Sequence, residues 1–335
     1  MRTAFIRTLV EMAEVDERVT LVVGDLGFGV VEPFADRFPS RFVNAGVAEQ
    51  DMTSIAAGMA LCGKIVFTYS IGNFPTLRCL EQIRNDICYH NANVKVVSVG
   101  GGLAYGALGV THHATEDIAV MRALPRMTVV APGDPLETEH AVRALVDQPG
   151  PGYLRIGRSG EPRVHENAVD FQLGKCIKLM EGSDITLIAT GTMLFTAMQV
   201  AGRLSQDGIE ARLLSMHTVK PLDAGAVLAA ASETAAVVTL EEHSILGGLG
   251  SAVAELLAES PRLRVPFKRL GLPPNFTSLV GSQDYLKEAY SLTVDGILRS
   301  VAEVLDRSRA QQRMAGRPST LSPQVQAALG DTCGL

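Results

Sequence analysis

Short apolar runs in this chain alternate with longer stretches whose apolar positions recur every three or four residues. The short runs cover 20–23, 64–69, 94–99, 128–131 and 153–156, and later 185–189, 211–215, 235–240 and 265–270. They are predominantly apolar, the pattern of strands covered on both faces of a parallel sheet. Between them fall helical stretches. The first, 1–17, carries Ala4, Phe5, Thr8, Leu9 and Met12 on one face. Others cover 30–37, 53–61, 75–90, 115–124 and 135–147, then 192–206, 224–231, 250–258, 282–290 and 293–307. This alternation predicts two doubly wound α/β domains. Residues 157–171 mix Gly, Pro, Asn and charge without periodicity, which marks a break. The domains are expected over 1–160 and 181–307, with a linker over 161–180. The polar, proline-containing tail 308–335 is expected to be loosely ordered.

One stretch stands out, Asn44-Ala45-Gly46-Val47-Ala48-Glu49-Gln50-Asp51-Met52. A strand-like run, 41–43, enters it and a helical run leaves it. Glu49 therefore lies where a strand hands over to a helix. Its neighbours Ala45, Gly46, Ala48, Ala56, Ala57 and Gly58 are small, so a ligand can approach the backbone. Ligands of open parallel sheets bind beyond the carboxyl ends of the strands. A buried carboxyl there suits proton donation. The plainer alternative is an acid in a helix first turn, favoured by the dipole.

Composition narrows the function. The 335 residues, 47% hydrophobic, suffice for two cores. Thirty basic against 36 acidic residues give a net charge of -6 and no basic face, which argues against nucleic acid as partner. No apolar run reaches the roughly 18 residues of a membrane span. The N-terminus is an amphipathic helix with early acids, not a secretion signal. Five cysteines without a CxxC pair predict reduced thiols in a cytoplasm and no zinc site. The glycine-rich segment 24–29 lacks the spacing of a dinucleotide fingerprint, and neither GxxxxGK[ST] nor GxSxG occurs. His112 and His113 have Glu116 and Asp117 close behind, but adjacent histidines diverge and no HExxH occurs, so no metal site is expected.

A set of motifs then falls in one order. It runs Gly24-Asp25-Leu26, Gly46-Val47-Ala48-Glu49-Gln50, Glu81-Gln82-Ile83-Arg84, Gly109-Val110-Thr111-His112-His113 and Ala131-Pro132-Gly133-Asp134. It continues with Tyr153-Leu154-Arg155-Ile156-Gly157-Arg158, the run from His217 to Asp223 and the run from Glu241 to Gly250. In these motifs, over residues 1 to about 306, the chain resembles the C-terminal half of transketolases and their thiamine-diphosphate relatives. The resemblance implies a parallel-sheet pyrimidine-binding domain followed by a smaller transketolase C-terminal-like α/β domain. It implies a transferase that moves a two-carbon ketol unit between phosphorylated sugars with thiamine diphosphate.

Residue by residue, the resemblance makes Glu49 the glutamate that hydrogen-bonds the cofactor's aminopyrimidine. Asp25 and Arg78 fall at cofactor-binding positions. Phe74, or less favourably Tyr69, matches the aromatic stacked on the pyrimidine. His112 matches a loop histidine at the substrate oxygens, and Arg158 and Arg2 match arginines that read the sugar phosphate. The pocket departs from the family: Gly100 replaces a second histidine and Leu108 an acid. With His113 beside them, these residues imply an altered sugar.

The family's Gly-Asp-Gly motif for the metal-held diphosphate does not occur, and the pyrimidine-domain helix starts at Met1. A split enzyme follows as an expectation. A partner N-terminal subunit would hold the diphosphate and Mg2+, the cofactor would be shared, and two heterodimers would form a heterotetramer. A related reading is a β-type subunit of a 2-oxo-acid decarboxylase or dehydrogenase, or of a deoxyxylulose-phosphate-synthase-like enzyme. A third is a non-catalytic assembly subunit. His217 and His243 are expected to be structural.

Overall fold

The computed structural model describes residues 1–260 and 265–315. The first half comprises α1 (Arg2–Val15), β1 (Val19–Val23), α2 (Glu32–Arg37), β2 (Phe42–Asn44), α3 (Glu49–Leu61) and β3 (Ile65–Ile71). Next come α4 (Leu80–Gln82), β4 (Val94–Val99), α5 (Asp117–Ala123), β5 (Thr128–Val130), α6 (Pro135–Asp147) and β6 (Gly152–Ile156). The second half comprises β7 (Ile177–Met180), β8 (Ile185–Ala189), α7 (Met193–Gln206), β9 (Ala211–Ser215), β10 (Thr218–Lys220) and α8 (Ala224–Glu233). It ends with β11 (Val237–Ser244), α9 (Leu249–Ala258), β12 (Phe267–Leu272), α10 (Gln283–Ala289) and α11 (Val294–Ala315).

Two mixed, mostly parallel sheets result, ordered β10-β5-β6-β4-β3-β1-β2 and β12-β11-β8-β9-β7. Every residue of β1, β4, β6 and β8 is buried, as the largely apolar runs predict. In the first sheet the chain leaves β1 toward β2, returns across it to β3, and then proceeds to β4. The connections after β1 and β3 therefore part in opposite directions. That switch point opens a crevice at the strands' carboxyl ends. The register aligns its rim, for Val23 of β1 faces Asn44 of β2 on one side and Tyr69 of β3 on the other.

Four expectations need correction. The last residues of the 161–180 linker form β7, which pairs antiparallel with β9, so the second sheet begins inside it. The rest is docked: Asp134 caps α6 through Glu137 N at 2.8 Å, and its other oxygen accepts from Val164 N and His165 N. The first sheet also reaches beyond residue 160, because β10 pairs antiparallel with β5. The predicted helix over 75–90 is a 3₁₀ turn, α4, and then a π-helix over Ile83–Tyr89 that buries Ile83, Ile87 and Cys88. The expected loose tail is helical in its first eight residues, since α11 runs to Ala315. Ser308 is buried and donates to Ala235 O at 2.8 Å. Residues 316–335 lie outside the described residues.

The domain junction is part of the core. One buried cluster runs from Met52 and Val96 through Met121 to Leu214, Val219 and Val227. His217 sits in this junction, fully buried, with its ring stacked 3.9 Å from that of Phe171. Burial lowers its pKa to about 4. The unfolded chain takes up this proton near pH 6.5 and the folded chain only near pH 4. Between those values the unfolded state binds more protons, so stability falls as pH drops from 6.5 to 4 and is unaffected above. His217→Gln is expected to flatten this limb by up to about one proton, read from urea unfolding at stepped pH.

Candidate active site

Glu49 is the first residue of α3, and its side chain turns inward to the crevice with 2% exposure. The approach needs a bare backbone opposite: a Cβ on Gly24 would stand 3.3 Å from Glu49 Cγ. Thr53 Oγ1 donates to Glu49 O at 2.8 Å and steadies this first turn. Arg78, 47% exposed, bonds Glu49 Oε2 at 2.7 Å. Gln50 Nε2 in turn holds the Arg78 carbonyl at 3.1 Å. No described residue donates to Glu49 Oε1, which leaves one carboxyl oxygen for a ligand. Asn44 fastens the neighbouring turn, donating to Asp25 Oδ1 and accepting from Asp25 N and Gly46 N. Asp25 itself adopts φ +55°, at the mouth of the crevice.

A line of rings and guanidinium groups leads away from Glu49. The Arg78 guanidinium lies 4.6 Å from the Phe74 ring centroid. Phe74 meets His112 edge-on at 5.1 Å and 70°. His112 lies 6.4 Å from Tyr105, and Arg158 lies 5.6 Å from the centroid of that same ring. Arg2 reaches the same place, close enough to Tyr69 and Tyr105 for its charge to act on both phenols. Arg158 also lines a cleft of about 810 Å³ between the domains, with Gln199, Gln283 and Lys287 on the far wall. Burial lowers the His112 pKa and the neighbouring His113 lowers it further, so the imidazole is neutral at pH 7.

The structure thus gathers Glu49, Asp25, Arg78, Phe74, His112, Arg158 and Arg2, and it sets four expected site residues aside. Tyr69 is a core residue of β3, 2% exposed, with its ring on Phe5 at 5.7 Å. It faces the α1 side of the sheet and cannot lie against a ring held by Glu49. His113 is buried and points back to Gly106 O at 3.4 Å, away from His112. Leu108 is half exposed on a 3₁₀ turn, and the cleft is lined instead by Ala104, Gly106 and Ala107. Gly100 presents no surface, because the Tyr105 ring covers it.

The loop that bears His112 is held by the second domain, which motif spacing does not reveal. Glu242, buried at the end of β11, accepts from Leu103 N at 2.6 Å, from Gln283 Nε2 at 2.8 and 2.9 Å and from Thr192 Oγ1 at 3.1 Å. Lys287 Nζ adds an ion pair at 3.1 Å. Gly102 must be glycine here, since a Cβ would fall 2.6 Å from Glu242 Oε1. At the loop's other end Arg155, buried in β6, bonds Asp117 Oδ2 at 2.7 Å and the carbonyls of Ala114 and Glu242 at 2.9 Å. The hydroxyl of Tyr153 donates to the same Asp117. Among the described residues no cluster of His, Cys, Asp or Glu is placed to hold a metal.

Comparison with known proteins agrees with this architecture. Residues 1–162 match the transketolase pyrimidine-binding domain and residues 174–297 the transketolase C-terminal domain. The chain is 41% identical to an apulose-4-phosphate transketolase subunit of Phocaeicola vulgatus, over 91% of this chain and 97% of that one. It is 40% identical to a 6-deoxy-6-sulfo-D-fructose transketolase subunit of Clostridium sp. (strain MSTE9), over 92% and 95%. A solved split gene transketolase, described as an inactive beta4 tetramer, superposes with a TM-score of 0.81 at 38% identity, covering 91% of this chain and 97% of that chain. Two domains matched in sequence and in shape, across nearly the whole length of separate subunits, leave one assignment: this chain belongs to the transketolase family, among its split-gene subunits.

Proposed function

We propose that the chain is the pyrimidine-binding subunit of a split transketolase and moves a two-carbon ketol unit between sugars with an anionic end. The observation that carries this reading is Glu49, a buried carboxylate at a topological switch point with one oxygen left unbonded. Arg78 offsets the burial of one oxygen, and the other is left to a ligand in the crevice. The surroundings fit thiamine diphosphate: Gly24 and Gly46 leave the backbone bare, and Phe74 offers a ring beside Arg78. Glu49 would hold the aminopyrimidine, Phe74 would lie against it, and Asp25 and Arg78 would border it. When bound, the cofactor supplies the electron sink for breaking the carbon–carbon bond. His112, neutral at pH 7, exchanges a proton with the substrate oxygen. Arg158 and Arg2 attract the substrate's anionic end.

The partner chain would hold the diphosphate and Mg2+, in a heterotetramer of two heterodimers. A relative solved as an inactive beta4 tetramer accords with a site that needs a second kind of chain. The relatives' names, for a sugar 4-phosphate and a sulfo-sugar, support a specialised anionic substrate. Free thiols at Cys62, Cys79, Cys88 and Cys176 accord with a cytoplasmic enzyme. Among the described residues no helix is long and apolar enough to cross a membrane.

The test mixes this chain with a diphosphate-binding subunit, thiamine diphosphate, Mg2+, a ketose phosphate and an aldose. Ketol transfer is expected only with both chains present. Pyruvate consumption with release of carbon dioxide, or full activity of this chain alone, overturns the reading. In the active complex kcat/KM should lose activity on acidification with a midpoint below pH 6.5, because burial holds the His112 pKa below the ordinary value. His112→Gln is expected to remove that limb and to lower kcat roughly 10²-fold.

A further inference from the structure

Gly100, at the end of β4, has φ +77°. A Cβ built there would fall 2.1 Å from Cε2 and 2.4 Å from Cδ2 of Tyr105. The space that a side chain at position 100 would fill therefore belongs to the Tyr105 ring, which enters from five residues further along the loop. The ring is half-buried, and its surroundings are charged. Arg158 rests 5.6 Å from its centroid, and His112 stands 6.4 Å away, tilted by 60°. Burial raises the pKa of the phenol, Arg2 and Arg158 pull against that rise, and Glu161 adds to it, so two cations and one carboxylate are near it, the carboxylate already paired with the N-terminal amine at 2.8 Å. No described residue hydrogen-bonds the hydroxyl. A phenol with an unspent hydrogen bond thus stands beside two guanidinium groups, one ring away from the proposed proton-transfer group.

We propose that Tyr105 is a specificity-determining residue whose hydroxyl donates to a terminal tetrahedral oxyanion of the sugar, phosphate or sulfonate, while Arg2 and Arg158 supply the charge. This rests on the ketol-transfer reading. The division of labour has a physical basis. Guanidinium groups attract any anion, whereas a directed O–H at a set distance from His112 selects where the anion sits. The ring contributes separately, as the surface on which the Arg158 guanidinium rests. Tyr105→Phe removes the hydroxyl and keeps that surface, and Tyr105→Ala removes both.

In the reconstituted two-chain enzyme, Tyr105→Phe should raise KM for an anionic ketose roughly tenfold or more, the size of a hydrogen bond to a charged group. Its kcat should change less than about threefold, and its KM for the uncharged parent ketose should not move. Tyr105→Ala should raise the anionic KM further. Running phosphorylated and sulfonated ketoses side by side tells which oxyanion the site prefers. Calorimetric titration of the same complex with inorganic phosphate should weaken in parallel and needs no turnover. If the wild-type complex transfers ketol units and Tyr105→Phe leaves both anionic KM values and phosphate binding unchanged, or raises charged and uncharged KM alike, the assignment to Tyr105 is overturned. A wild-type complex without ketol transfer overturns the functional reading instead, and the phosphate titration still decides for or against Tyr105.

Discussion

Glu49→Gln lowers kcat of the reconstituted enzyme by roughly 10³–10⁴-fold, the upper part of the range for a positioned acid–base group. The substitution keeps the shape and removes only the charge and the proton-sharing oxygen. Arg78 loses an ion pair but is 47% exposed and finds water, so the fold has little to lose. The expected thermal midpoint is therefore close to wild type while turnover collapses. A loss of turnover matched by a loss of stability would mean that Glu49 is a structural acid of a helix first turn. Thiamine diphosphate affinity should fall as well, measured by calorimetry on the complex, because the carboxyl is proposed to contact the pyrimidine directly.

Asp117→Ala is expected to cost about 3–5 kcal/mol of stability, measured by urea unfolding of the single chain. Arg155 is 5% exposed, and Asp117 is its buried carboxylate partner. Removing the carboxylate strands a guanidinium charge in the junction. The nearby imidazole of His243 cannot replace it, because it carries no negative charge in either protonation state. The double variant Asp117→Leu with Arg155→Met removes both buried charges and should recover a large part of the loss. The single variant should also lower activity, because Arg155 holds Ala114 at the end of the His112 loop. A double variant that loses as much as Asp117→Ala, or more, would show that the loss does not come from a stranded guanidinium charge.

How far the sequence speaks depends on how local each cause is. Apart from β7 and β10, the strands of both sheets are legible because burial on two faces needs only a run rich in apolar residues. Glu49 is legible because a strand, a small-residue turn and a helix follow within one stretch. β10 is not: Thr218-Val219-Lys220 has one apolar residue, and its partner strand lies far earlier in the chain. The π-helix uses the same residues that an α-helix would, so only packing selects it. Tyr69 misleads because a tyrosine in a strand serves whichever face it points to, and Phe5, far away in sequence, decides that. Tyr105 is visible as an aromatic in a glycine-rich loop. Its meaning lies in the contact that Gly100 would otherwise make. Glu242 sits in a recognised motif, yet its grip on Leu103 spans 139 positions.

The last strand to join the first sheet, β10, bears on how the chain is made. Its residues leave the ribosome only after the linker, β7 and all of β8, α7 and β9. Until then the free side of β5 offers the open hydrogen-bonding edge that invites pairing with other chains. The nascent pyrimidine-binding domain therefore waits for much of its neighbour to be synthesised before that side is capped. Cutting the gene between the two sheets would yield a sticky fragment rather than a working module, so that boundary is a poor place to divide this enzyme further.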